Sequence, residues 1–234
     1  MIKPIAIITG ASTGIGRALA MELSNNYFIY LVSRNINNLN KTKEIIKNKK
    51  NDCEIITADL TNKQSVEKIY NKISNIDNIE LLINNAGIAI FKDISNTSIN
   101  DWDKTINVNL RGSFLMTKLI IDNFKSKKSG KIVFINSSAG LKPFKNSSAY
   151  VASKYGLRGF ASSLREELRE FNVKVISVFP GAVDTPLWDN KNAEDIREDM
   201  MNVNDLCQTI THSINAPNNC VVEEILIKRT LGDF

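Results

Sequence analysis

The sequence predicts an α/β protein, one doubly wound parallel sheet of about seven strands with helices on both faces. Three observations carry that prediction. Short apolar runs rich in Val and Ile recur along the chain, with the length and composition of strands buried on both faces. Longer segments of helical period separate them, so strands and helices alternate as a parallel sheet requires. At the first junction the chain reads Thr9-Gly10-Ala11-Ser12-Thr13-Gly14-Ile15-Gly16, a glycine-rich turn between a strand and a helix. A length of 234 residues with 43% hydrophobic content supports one core. No repeat or linker interrupts the pattern, so residues 1–234 are expected to form a single domain.

Pro4-Ile5-Ala6-Ile7-Ile8 is the first strand, and Arg17 to Leu23 the helix after the glycine turn. Each glycine in the turn has a physical reason if a dinucleotide binds there. Gly10 permits a turn closed to residues with a Cβ, Gly14 lets the backbone approach a pyrophosphate, and Gly16 lets helix and strand pack closely. The spacing is Gly-x-x-x-Gly-x-Gly, and its place between strand and helix is the Rossmann-type context.

Tyr27 to Val32 is the second strand, and its end bears on the cofactor. A carboxylate there would bond the ribose 2′-hydroxyl of NAD, whereas Ser33-Arg34 offers a small residue and a cation, which favours NADP(H) over NAD(H). The alternative is that Arg34 is a solvated charge. A polar helix from Asn37 to Lys50 leads to a third strand, Cys53 to Leu60. Asp59 at its end either faces an adenine ring or caps the helix opening near Asn62. The fourth strand, Ile79 to Ile83, runs into Asn84-Asn85-Ala86-Gly87, small residues that leave room for a flat ligand at the carboxyl end of the sheet.

Helical spacing continues from Ile99 to Phe124 and encloses Asn109 between apolar positions. A buried amide there needs backbone, water or a catalytic group as partner. Gly130 to Ser137 is the fifth strand, Ser148 to Phe171 a helix, and Val173 to Phe179 the sixth strand, which ends at Pro180-Gly181. From Pro186 to about Asn202 the pattern dissolves, as expected of a lid over a substrate or of a connecting loop. Val203 to Ile214 is the last helix and Val221 to Ile227 the last strand.

The chemistry centres on Ser137 and on Tyr150-Val151-Ala152-Ser153-Lys154. Residues at that helical spacing share one face, so phenol and ammonium point into the same space. Partial ionisation of a tyrosine at neutral pH needs a shift of roughly three units, or about 4 kcal/mol, and a nearby cation supplies part of it. The Ser137 hydroxyl can then orient a substrate oxygen for proton exchange with Tyr150. This is a proton-transfer site without a histidine, and His212, the single histidine, has no triad around it.

Other classes find little support. Cys53, Cys207 and Cys220 are scattered, without the spacing of a zinc site, so no metal is expected and the thiols read as reduced and cytoplasmic. Apolar runs are far short of the roughly 20 residues that span a bilayer, which argues a soluble protein without membrane contact. The net charge of +5 raises the possibility of a polyanionic partner, yet the lysines from Lys41 to Lys50 are interleaved with asparagine rather than aromatics. They read as a solvated face, and nucleic acid is not expected.

Taken in order, Thr9-Gly10-x-x-x-Gly14-x-Gly16, Asn84-Asn85-Ala86-Gly87, Asn109, Ser137, Tyr150-x-x-x-Lys154 and Pro180-Gly181 resemble the short-chain dehydrogenase/reductase family in its catalytic-tetrad branch, over almost the whole chain. The resemblance implies an enzyme transferring a hydride between a nicotinamide cofactor and a carbonyl or alcohol. Tyr150 would be its general acid/base, Ser137 would hold the substrate oxygen, Lys154 would lower the tyrosine pKa and bind the nicotinamide ribose, and Asn109 would hold a water in a proton relay. It also implies that Gly10, Ser12, Thr13, Gly14, Ile15 and Gly16 cradle the pyrophosphate and that Ser33 and Arg34 face the adenosine ribose. Asp59, Leu60, Asn85, Ala86 and Gly87 would lie around the adenine side, and Pro180, Gly181, Val183 and Thr185 would close on the nicotinamide. Members that prefer NADP often carry a basic residue where this chain has Thr13, so the cofactor preference rests on Arg34. Phe91, Pro143, Phe144, Leu187 and Trp188 are candidates for an apolar substrate pocket. The resemblance further implies pairing of the helices from Ile99 and Ser148 into a homodimer or homotetramer. A non-catalytic protein sensing the nicotinamide nucleotide on the same fold is the alternative function.

Overall fold

The computed structural model describes residues 2–73, 78–189 and 196–232. Its first strand, β1 (Ile5–Thr9), pairs in parallel with β2 (Phe28–Ser33) on one side and with β4 (Ile79–Asn84) on the other. Beyond β2 lies β3 (Cys53–Thr57), and beyond β4 follow β5 (Gly130–Ile135), β6 (Val173–Pro180) and β7 (Glu224–Ile227), all parallel. The chain therefore winds outward in one direction from β1 to β3 and in the other from β4 to β7. The carboxyl ends of β1 and β4 flank the switch point, where open α/β sheets leave a crevice.

The central strands are apolar along their whole length because both sheet faces are covered. Ala6 and Ile8 of β1, with Leu81 and Ile83 of β4, meet α1 (Gly14–Leu23), α2 (Ile36–Asn48) and α7 (Val203–Ile214) in one core. Ile7, Leu82 and Phe134, one residue out of step, meet α3 (Lys63–Ile73), α5 (Gly112–Lys127) and α6 (Ser148–Leu168) in the other. The period-two alternation of strand side chains divides each continuous run between two helical layers.

Helix starts are capped where the sequence supplies the side chain. Asn35 accepts from Asn38 N–H at the head of α2, and Asn202 from Asn204 N–H at the head of α7. Ser98 and Asp101 form a reciprocal capping box at α4 (Ile99–Ile106). Thr13, heading α1, makes no side-chain cap bond, so the first amides of that helix face the crevice without one.

Several elements differ from the sequence reading; the fifth strand, expected to reach Ser137, stops at Ile135, and the helix from Ser148 ends at Leu168. The continuous helix expected from Ile99 to Phe124 is interrupted by a π-helical turn at Asn107–Arg111, because the buried Asn109 side chain bonds to another segment and a wider turn accommodates it. The third strand stops at Thr57, so Asp59 and Leu60 lie beyond the sheet edge. The last strand starts at Glu224 rather than Val221. Within the proposed lid, a short 3₁₀ turn spans Pro186–Trp188, and Met201 returns to pair with Ala182 and Asp184 through backbone hydrogen bonds of 3.0 Å each. Residues 190–195 of that segment lie outside the described residues. Among the described residues no helix is long and apolar enough to cross a membrane, and no group of three metal-ligating side chains forms.

Candidate active site

A cleft of about 880 Å³ opens at the switch point. Of the twenty-one sequence candidates, every one lines it except Gly16 and Asn109, which support it from behind.

At its nucleotide end the walls are mostly backbone. Gly10 has φ +66°, a left-handed conformation, and a Cβ there would come within 2.8 Å of Asn85 Nδ2. A Cβ on Gly16 would collide with that same amide and with the Gly10 carbonyl. Asn85 stands this close because its Nδ2 donates to the Thr9 and Gly10 carbonyls at 2.9 and 3.3 Å. Thr9 Oγ1 accepts from Asn85 N–H and Ala86 N–H, both at 3.0 Å, and donates to the Ile83 carbonyl. The Asn84–Gly87 stretch is thus buckled to the glycine turn, and a side chain on Gly16 would break the closure.

Sequence reasoning missed two residues that hold this turn from below. Arg17 donates to the Ser12 carbonyl, to Thr42 Oγ1 at 3.1 Å and to the Asn38 carbonyl, while Thr42 Oγ1 donates to the Ala11 carbonyl. The available signal was the place of Arg17 in the first turn of α1, one turn beyond Thr13. Nothing local marked Thr42, because its partner is distant in sequence.

At the 2′ corner, Ser33 Oγ donates to Ser12 Oγ at 3.0 Å. Arg34 Nη1 lies 3.8 Å from Asp59 Oδ2, with side chains 56% and 39% exposed. Asp59 Oδ1 accepts from the N–H and hydroxyl of Thr61, whereas Asn62 Oδ1 accepts from Ser65 N–H at the head of α3. The helix-capping role considered for Asp59 therefore belongs to Asn62. Burial pushes the Asp59 carboxyl up, but the two Thr61 bonds and then Arg34 hold it below its ordinary value on balance.

This end fits a dinucleotide on its own features. The glycine turn keeps side chains away from the head of α1, that helix lacks a side-chain cap, and a guanidinium stands past β2.

At the other end, α6 presents Tyr150 and Lys154, and the turn after β5 presents Ser137. The Ser137 hydroxyl is hydrogen-bonded to the Tyr150 phenol and also accepts from Ala139 N–H at 3.1 Å. Lys154 is 5% exposed. Its Nζ donates to the Ile135 carbonyl at 3.0 Å and stands 5.7 Å from the Tyr150 ring centroid. Asn109, 1% exposed, clamps Ile88 at both backbone groups, accepting at 2.8 Å and donating at 2.9 Å. Its Nδ2 also donates to Ser153 Oγ, which donates to the Tyr150 carbonyl. The buried amide anticipated from sequence is therefore satisfied by the loop after β4 and by α6, and ties the two together.

Electrostatics depart from the expectation in one respect. The Tyr150 phenol is raised above its ordinary value rather than lowered, because burial outweighs the Ser137 hydrogen bond. Burial likewise lowers the Lys154 ammonium to about 8. The phenol holds its proton, next to an amine whose pKa lies near physiological pH.

Of the apolar candidates, Phe91, Phe144, Leu187 and Trp188 line the cleft, while Pro143 is exposed outside it. Phe91 stands edge-on to Tyr150 with centroids 5.8 Å apart, and lies 5.8 Å from Trp188.

Residues 4–196 match the family described as short chain dehydrogenase. A sepiapterin reductase of Chlorobaculum tepidum is 34% identical, with 100% of this chain and 99% of that protein covered. An uncharacterized oxidoreductase of Staphylococcus epidermidis is 29% identical over 97% of both chains. Among solved structures, a metagenomic short-chain oxidoreductase in complex with NADP superposes with a TM-score of 0.85 at 27% identity, over 97% of each chain. An alcohol dehydrogenase from the archaeon Thermococcus sibiricus shares the fold, with a TM-score of 0.89 over 98% of this chain and 97% of that one, at 24% identity.

Proposed function

The chain belongs to the short-chain dehydrogenase family, and from that premise we propose that it is an NADP(H)-preferring oxidoreductase interconverting a carbonyl compound and an alcohol. The observation that carries this reading is the meeting of Ser137, Tyr150 and Lys154 in the same cleft as the glycine turn. The bound nicotinamide supplies or accepts the hydride. In reduction Tyr150 donates its phenolic proton to the substrate oxygen, and the raised phenol pKa keeps that proton in place at neutral pH. Ser137 shares a hydrogen bond with the phenol and orients the same oxygen. The Lys154 charge, brought near a ribose hydroxyl and the phenol, stabilises the phenolate left after transfer. Asn109 fixes Ile88 against α6, so that the floor of the cleft and the proton donor move as one body.

The glycine turn, with Ser12, Thr13 and Ile15, holds the pyrophosphate, and Arg34 with Ser33 reads the 2′-phosphate. Asp59, Leu60 and Asn85 to Gly87 take the adenine side, and Pro180, Gly181, Val183 and Thr185 the nicotinamide. The whole chain works as one catalytic domain whose 186–202 segment covers the substrate. Ile99, Trp102 and Phe114, 81%, 40% and 44% exposed, support a homodimer or homotetramer built on the helices from Ile99 and Ser148. Leu164, by contrast, is buried in its own core, and Phe160 packs edge-on between Phe114 and Phe134. Free thiols at Cys53, Cys207 and Cys220 are in keeping with a cytoplasmic protein.

The test is a panel of ketones, aldehydes and diketones with NADPH, followed by loss of absorbance of the reduced cofactor. Sepiapterin belongs in it because a 34% identical relative is named for its reduction. Turnover of at least one carbonyl is expected. Tight NADPH binding with no turnover across the panel would replace the enzyme by a nucleotide sensor.

A further inference from the structure

We propose that the substrate half of the cleft is an aromatic slot selecting flat aromatic or heteroaromatic carbonyl compounds that carry no positive charge. For the reaction this rests on the oxidoreductase reading above; for the binding it does not.

The slot is assembled from segments far apart in the chain. Phe91 comes from the stretch after β4, Phe144 from the loop before α6, and Trp188 from the short turn after β6. The Phe91 ring meets Tyr150 at 89° and Trp188 at 40°, with both centroid distances 5.8 Å. These rings form a continuous wall leading to the phenol that would donate the proton. Phe91 and Leu187 are still 36% and 39% exposed, so the wall offers apolar surface to whatever enters. Apolar lining with a few polar groups at one end is how a site recognises a flat apolar ring and orients its substituent. A ring edge or face against these side chains gains about twofold to tenfold in binding per ring pair over a saturated group of equal area.

Charge narrows the class further. Among the described residues lining the cleft, Asp59 is the one carboxylate, and it lies at the nucleotide end against Arg34. The substrate half has cations instead, Lys145 on its rim and Lys154 in its floor. Among the described residues of that half an ammonium substrate finds no counter-charge, whereas neutral or carboxylate-bearing rings do not meet repulsion.

Two measurements test the slot. The first compares acetophenone with cyclohexyl methyl ketone, matched in size, using NADPH and the unmodified protein. The ratio of kcat/KM is expected to favour acetophenone by about tenfold although conjugation makes its carbonyl less reactive, and Trp188→Leu is expected to bring the ratio near one mainly through KM. The second uses Trp102→Phe, which leaves Trp188 as the sole tryptophan of the two in the chain. With oxidised cofactor present, its emission should change saturably with acetophenone and with benzoate, and far more weakly with cyclohexyl methyl ketone or benzylamine. Equal kcat/KM for the two ketones, or benzylamine binding as tightly as benzoate, overturns the slot while leaving the oxidoreductase reading intact. A saturable, ring-selective Trp188 response without turnover of any ketone supports the slot and counts against the proton-transfer reading. Absence of any saturable Trp188 response to acetophenone overturns the slot, and the ketone ratio in the unmodified protein decides the matter should the Trp102 variant not fold.

Discussion

The glycine-turn end of the cleft is walled by backbone, with Gly10 and Gly16 pressed against Asn85 so closely that a Cβ has nowhere to go. The substrate end is walled by Phe91, Phe144, Leu187 and Trp188, side chains that remain partly exposed and touch one another only at ring distances. A backbone wall accepts one ligand geometry and resists substitution, because any added atom must displace main chain. A side-chain wall changes shape with each residue that is replaced. One chain can thus keep a demanding nucleotide site while its substrate end is retuned, since the two walls are built from different kinds of atoms.

The largest effect expected at their junction is that of Tyr150→Phe. Loss of the proton donor should lower kcat by about 10²- to 10⁴-fold, with the NADPH dissociation constant changed less than about threefold in a fluorescence titration. If most turnover survived, the chemistry would have to lie elsewhere and the division between the two ends would lose its hinge.

Lys154 gives the next effect, and its sign follows from its burial. Its pKa is about 8 in the fold against an ordinary value of 10.5. Below pH 8 both folded and unfolded chains hold the proton, and the cost of burying the charge is complete. Between pH 8 and 10.5 the unfolded chain binds more protons, so folding stability rises through that window, by about 3 kcal/mol at most. Urea unfolding of the unmodified protein and of Lys154→Met at pH 7.5 and 9.5 should show the difference between them shifting in favour of the unmodified chain at the higher pH. An unchanging difference would mean that the ammonium is not desolvated.

Gly16→Ala tests the backbone wall directly and should destabilise the protein by about 1–3 kcal/mol, seen as a lower melting temperature. Phe91→Leu at the other wall should change stability by less than about 1 kcal/mol, because the ring is 36% exposed. Equal losses at both sites would erase the contrast.

The smallest effect expected is cofactor preference. Arg34 is 56% exposed and already shares Asp59, so solvent and that carboxylate weaken its hold on a 2′-phosphate. NADPH should bind about tenfold more tightly than NADH, and Ser33→Asp with Arg34→Ala should reverse the order. Matching affinities in the unmodified protein would reduce Arg34 to a surface charge.

What the sequence by itself determined were features carried by neighbours in the chain: the buried strand runs, the glycine turn after β1, and Tyr150 and Lys154 on one helical face. These follow from backbone conformation and periodicity, which a few adjacent residues specify. Tertiary structure decided the rest. The π turn that frees Asn109 to clamp Ile88, the Arg17 and Thr42 support beneath Ser12, and the assignment of the α3 cap to Asn62 instead of Asp59 all depend on partners brought near by folding. The direction of the Tyr150 shift does so as well, because the helical spacing shows the nearby lysine but not the burial that raises the phenol. Likewise Phe91 and Trp188 carry no common pattern in the chain and become one wall only because β4 and β6 end at the same edge of the sheet. Desolvation and long-range contact are properties of the packed molecule, and no local run of residues encodes their balance.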